Sequence, residues 1–161
     1  MEYISVENRK LLEPKYRMAV AIALAFIISV VFYLIVAKFV SPREAVPGSE
    51  AWQRPVYGGA LILALVVIFL RRFLMSSLVA GRAAASGIET ALRNLLMVTI
   101  VIAVTAELVA ILGMIFYFLT GDIDYSWRLG AISLILLAYA FPRRGEWERW
   151  VTVSTESAKK K

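Results

Sequence analysis

From Leu95 to Leu119 the chain runs for 25 residues with a single charged side chain, Glu107, and that run decides the solvent in which the rest must be read. As a helix it would rise about 37 Å at 1.5 Å per residue, more than the roughly 30 Å of hydrocarbon in a bilayer. Shorter apolar runs flank it at Met18–Ala37, Pro55–Leu70 and Leu129–Phe141, each closed by basic residues or proline. The sequence therefore predicts an all-α protein, a four-helix transmembrane bundle. Its spans lie at about 18–40, 55–70, 95–119 and 127–142 inside a membrane domain of residues 18–144. Residues 1–17 form a polar N-terminal segment, 71–94 a helical connector on or near the interface, and 145–161 a polar tail.

Charge sets the orientation. Of the 18 Lys and Arg residues, fourteen fall in the N-terminal segment, the connector and the tail, and four in the two opposite loops, so both termini are expected in the cytoplasm. The run Met18–Ala37 is too long for a signal-peptide core and no small-x-small pattern follows it, which predicts a retained helix. With no transit or export signal recognised, the expected residence is the inner membrane of a bacterium or archaeon. The net charge of +6 sits at the ends of apolar runs, where it meets lipid headgroups, so the lipid bilayer and not nucleic acid is the expected partner. Arg71, Arg72, Arg143 and Arg144 are the expected headgroup contacts, and Trp52, Trp127, Trp147 and Trp150 the interfacial aromatics.

The chain has no cysteine and no histidine, which removes disulfides, thiol redox chemistry, haem histidines and soft metal sites. No paired membrane carboxylates or phosphate-cradling glycine loop stands out, so neither an enzyme, a cofactor nor a metal is expected. Asp122 and Asp124 flank a turn at Gly121, where Asx-type hydrogen bonds account for them more simply than a cation.

Glu107 is the residue that invites a mechanism. It is thirteenth in its run of 25, and a carboxylate at that depth costs on the order of 2.5 to 3.5 kcal/mol to insert. Hydrocarbon disfavours the anion, so a carboxyl there can take up and release a proton, or serve as a neutral hydrogen-bonding group. Its own helical face offers only Ile100, Ala103, Val104, Ala110, Ile111 and Met114, so its partners must come from other helices. At comparable depth stand Ser29 and Ser133, with Tyr33 and Tyr139 somewhat off centre, and none of them is cationic.

The stretch Thr105-Ala-Glu107-Leu-Val-Ala-Ile111-Leu-Gly113 resembles the outer helix of ATP-synthase c subunits, in which an Ala-Glu-x-x-x-Ile-x-Gly segment carries the ion-binding carboxylate. The resemblance covers part of one helix and implies that Glu107 is a proton or sodium carrier. The glycine ladder and the Arg-Gln-Pro loop of those proteins are absent, and the acid lies in the third helix, so no rotor ring is implied. The whole pattern, with its ending Phe141-Pro-Arg-Arg-Gly-Glu-Trp-Glu148, also resembles small bacterial membrane proteins of four helices, which implies the architecture and no activity.

Three functions are then expected, in this order. One is a small structural or accessory subunit that associates with other membrane helices or with itself as a homo-oligomer, with Gly58, Gly59, Ala60 and Ala64 allowing close contact. Another is proton or ion handling through Glu107, hydrogen-bonded by Ser29 or Ser133. The last is a small proton-coupled drug antiporter, opposed by the strong charge bias.

Overall fold

In the computed structural model the described residues are 6–40, 46–74 and 87–159. Among them the chain is entirely helical, with α1 (Val6–Phe39), α2 (Gln53–Leu74), α3 (Ile88–Thr120), α4 (Ile123–Ala140) and α5 (Arg144–Lys159), and a 3₁₀ turn over Ser49–Trp52 that leads into α2. Three helical stretches are long and apolar enough to cross a membrane: Asn8–Phe39, Gln53–Phe73 and Ile88–Thr120. α4 has 18 residues, and Asp124 and Arg128 in its first two turns lower its mean hydropathy.

α3 is the central helix. It packs most extensively on α4 and also on α1 and α2, while α1 and α2 hardly touch each other. α1 and α2 thus stand at opposite corners with the α3–α4 hairpin between them. The hairpin is tight because its two-residue link is chemically specified. Gly121 takes the left-handed conformation (φ 75°) that closes α3, and its N–H donates to the Tyr117 carbonyl at 2.8 Å. Asp122 then caps α4 by accepting from the Asp124 N–H at 2.9 Å.

Small residues let the central helices approach. Ala103, Ala106 and Ala110 of α3 are buried against Val30 of α1 and Leu129, Leu136 and Leu137 of α4. The closest approaches fall at Gly113, where a β-carbon would lie 2.7 Å from Leu129 Cβ, and at Gly130, where it would lie 2.6 Å from Leu34 Cδ2. At Gly58 and Gly59, expected to allow close contact with other membrane helices, no described neighbour of the chain lies within 4 Å of a β-carbon.

A second core closes the basic end. Leu12 and Ala19 of α1, Ala91, Leu92 and Leu95 of α3, and Trp147, Trp150 and Val151 of α5 are buried together. This changes three expectations. Residues from Val6 onward belong to the first helix and not to a separate polar segment, because Leu12 and Tyr16 supply an apolar stripe on which the tail can lie. The third helix starts at Ile88, seven residues before the uncharged run, for the same reason. Trp147 and Trp150, expected at the lipid interface, are 0% and 6% exposed, with Trp147 edge-on to Tyr16 at 5.8 Å. α1 and α3, at 34 and 33 residues, are each about 50 Å long, so roughly two fifths of each exceeds the thickness of a hydrocarbon layer. Of the connector expected over 71–94, residues 75–86 lie outside the described residues. Trp52 and Trp127 are exposed.

Candidate functional site

Glu107 stands on the seam between α1 and α3. Its Oε1 accepts two hydrogen bonds from α1, from Ser29 Oγ at 2.6 Å and from Tyr33 Oη at 2.9 Å. Ser29 and Tyr33 are four residues apart, so one face of α1 presents both hydroxyls to the same point. Among the described residues no hydrogen bond reaches Oε2.

The position of this trio follows from helix geometry. On α3, the residues to one side of Glu107, Ala103, Ala106 and Ala110, are buried, and those to the other, Val101, Val104 and Leu108, are exposed. On α1, Val30 and Leu34 beside the hydroxyls are buried, and Ile28 and Phe32 on the other side are 66% and 60% exposed. The polar groups therefore lie along the line where each helix passes from core to outer surface. Glu107 is half-buried, open on one side and enclosed on the other.

Ser133, named from sequence as a second partner, is turned elsewhere. It is fully buried and its Oγ donates to the Ala106 carbonyl at 2.7 Å, which locks α4 to α3 one residue from Glu107 without touching the carboxyl. Tyr33 supplies the second donor instead; its spacing to Ser29 is the signal that singles it out in the sequence. Tyr139, the other hydroxyl at similar depth, lies under a guanidinium at the basic end.

That guanidinium belongs to Arg71, and it corrects the headgroup assignment for this residue. Arg71 is 6% exposed, with Nη2 donating to both carboxylate oxygens of Glu146 at 3.1 Å and Cζ 4.5 Å from the Tyr139 ring centroid. It therefore ties the end of α2 to α4 and α5. The physical reason is that α5 folds back and brings Glu146 to a cation that the sequence alone leaves facing lipid. Arg72 and Arg143 are exposed and remain available to headgroups. Arg144 is also exposed; its hydrogen bond to Glu148 at 3.0 Å and the neighbouring Glu13 hold its guanidinium above the usual pKa.

The acidic turn has a structural occupation, Asp122 on the helix cap and Asp124 paired with Arg128 at 3.0 Å. Glu89 and Arg93, spaced for a helix-surface pair, are not among the ion pairs of the described residues. Nor do those residues contain a group of three or more Asp, Glu, His or Cys side chains able to hold a metal. The arrangement at Glu107 can hold a carboxyl in one orientation, exchange a proton at Oε2, or accept a donor from outside the chain. No family model, no curated protein and no solved structure matches this chain.

Proposed function

We propose that this protein is a multi-pass component of a bacterial or archaeal inner membrane, a small accessory subunit held against the helices of another membrane protein. The observation that carries the reading is Glu107. A carboxyl near mid-span, half-open on a surface of valine, leucine, isoleucine and phenylalanine, with one oxygen satisfied from within and the other not, is a poor lipid-facing residue and a good contact residue. We take α4 as a fourth crossing. Support for this comes from its packing along α3 and from the shared core of α1 and α5, an arrangement that an even number of crossings would bring about. The fourteen-to-four bias of Lys and Arg puts that side in the cytoplasm.

The test is native electrophoresis of the tagged chain from gently solubilised membranes of its own cell. A stable assembly containing other chains is expected, and Glu107→Gln should weaken it. A lone monomer under every mild condition would overturn the proposal.

A second reading, proton or ion handling, is favoured by one specific feature: Ser29 and Tyr33 both donate to Oε1, which leaves Oε2 as the exchanging oxygen. Labelling by a hydrophobic carbodiimide across pH in liposomes, with Glu107→Gln as the blank, tests it. Ready, pH-dependent labelling is expected on this reading, and no labelling at any pH would remove it. A drug antiporter ranks third, because dual insertion needs little charge bias and this bias is large.

A further inference from the structure

Among the described residues Glu107 Oε2 has no hydrogen-bond counterpart, and its surroundings bear on what that counterpart would be. Two O–H donors converge on Oε1, at 2.6 and 2.9 Å. Both lone pairs of Oε1 are thereby taken, and the acceptor still open is Oε2. An acceptor half-open on an apolar surface calls for a donor at that oxygen, and a cationic donor is the one that also answers the charge a glutamate can carry.

The four apolar runs contain no such cation. The chain has no histidine, and no Lys or Arg occurs within Met18–Ala37, Pro55–Leu70, Leu95–Leu119 or Leu129–Phe141. Along α1 the nearest is Lys38, nine residues beyond Ser29 and so about 14 Å further along the axis. The same count applies to a second copy, which would bring another carboxylate to this depth and no base. A small metal ion would find one carboxylate and two hydroxyls, both already donating to that carboxylate, which is a sparse oxygen set for a hard cation.

We propose that the α1–α3 seam receives a transmembrane helix of a different protein, one that places a lysine or arginine against Glu107 Oε2. The apolar body of that helix would lie on Ile28 and Phe32 of α1 and on Val104 and Leu108 of α3, all of them exposed beside the carboxyl. Ser29 and Tyr33 hold the carboxylate aimed outward before the partner arrives. The proposal rests on the accessory-subunit reading and adds to it the chemistry of the partner.

The test uses the full-length chain, donor-labelled, in phosphatidylcholine vesicles with acceptor-labelled leucine-alanine transmembrane peptides that carry either one central lysine or a leucine at that position. Energy transfer should show the lysine peptide binding about tenfold more tightly, and Glu107→Gln should bring it down to the leucine peptide. Ser29→Ala and Tyr33→Phe should each reduce the preference in part, since they loosen the carboxylate without removing it. Equal binding of the two peptides to the wild-type chain, or a lysine preference that survives Glu107→Gln, would overturn the proposal. The accessory reading fails separately, if the chain runs alone in native membranes whatever peptide it binds.

Discussion

Replacing Gly113 by alanine should damage the fold where the same change at Gly130 does not, although both glycines sit at helix crossings. At Gly113 the added methyl would meet Leu129 Cβ at 2.7 Å and the Tyr125 carbonyl oxygen at 3.1 Å. Ordinary carbon contacts are about 3.5 to 4.0 Å, so α4 must withdraw by about 1 Å, and both neighbours are fixed to its backbone. Withdrawal strains the Ser133 bond to the Ala106 carbonyl and the edge-on contact of Phe116 and Tyr125, whose ring centroids are 4.6 Å apart. Overpacking of that kind costs about 3 kcal/mol, the upper part of its usual range. Alanine regains about 1 kcal/mol of helix propensity over glycine, which leaves about 2 kcal/mol lost. At Gly130 the clash is with the far end of Leu34, at Cδ2 2.6 Å and Cγ 3.2 Å. A rotamer change there costs about 1 kcal/mol and the propensity gain cancels it. The two variants should therefore differ by about 2 kcal/mol, roughly thirtyfold in the folding equilibrium. Reversible unfolding in mixed micelles with rising SDS, followed by tryptophan fluorescence, measures both. Equal midpoints, or a Gly130→Ala variant weaker than Gly113→Ala, would refute the packing argument.

Other substitutions probe the basic end and the seam. The Arg71–Glu146 pair should respond asymmetrically: Glu146→Ala strands a cation that is 6% exposed and should cost about 3 kcal/mol, whereas Arg71→Met leaves Glu146, whose side chain is 35% exposed, able to turn to water at about 1 kcal/mol. Proteolytic release of the tail beyond residue 144 gives the order of the two. Trp147→Ala empties a fully buried site between α1, α3 and α5 and should cost about 3 to 5 kcal/mol, read from the same SDS titration. Tyr33→Phe removes one of two donors to Glu107 and should raise the carboxyl stretching frequency in infrared spectra of the protonated state, with Ser29→Ala giving the larger shift because its bond is shorter. Thr99→Val should be nearly silent, since its hydroxyl only back-bonds to the Leu95 carbonyl within α3.

The amino-acid sequence by itself determined the solvent and the elements. Long apolar runs between basic residues admit only helices, because hydrocarbon offers no partner for an unpaired N–H or carbonyl. It also singled out Glu107, since a lone acid in 25 residues needs no structure to be seen, and it located the Gly121–Asp122 turn through residues whose backbone preferences are local. What it could not supply were relations between helices. Ser29 and Ser133 are equivalent by depth, and only the rotation of α1 and α4 against α3 decides that one reaches the carboxyl and the other a backbone carbonyl. Gly58, Gly59, Gly113 and Gly130 look alike in sequence, and only the packing shows that Gly113 and Gly130 are the ones crossed within the chain, because closeness is a property of two surfaces and not of one. Arg71, Trp147 and Trp150 read as membrane-surface residues until the tail folds back as α5 and places them in a core. Burial at the basic end was decided by a segment more than 50 residues further along the chain from Arg71, and local sequence pattern carries no record of what a distant helix will cover.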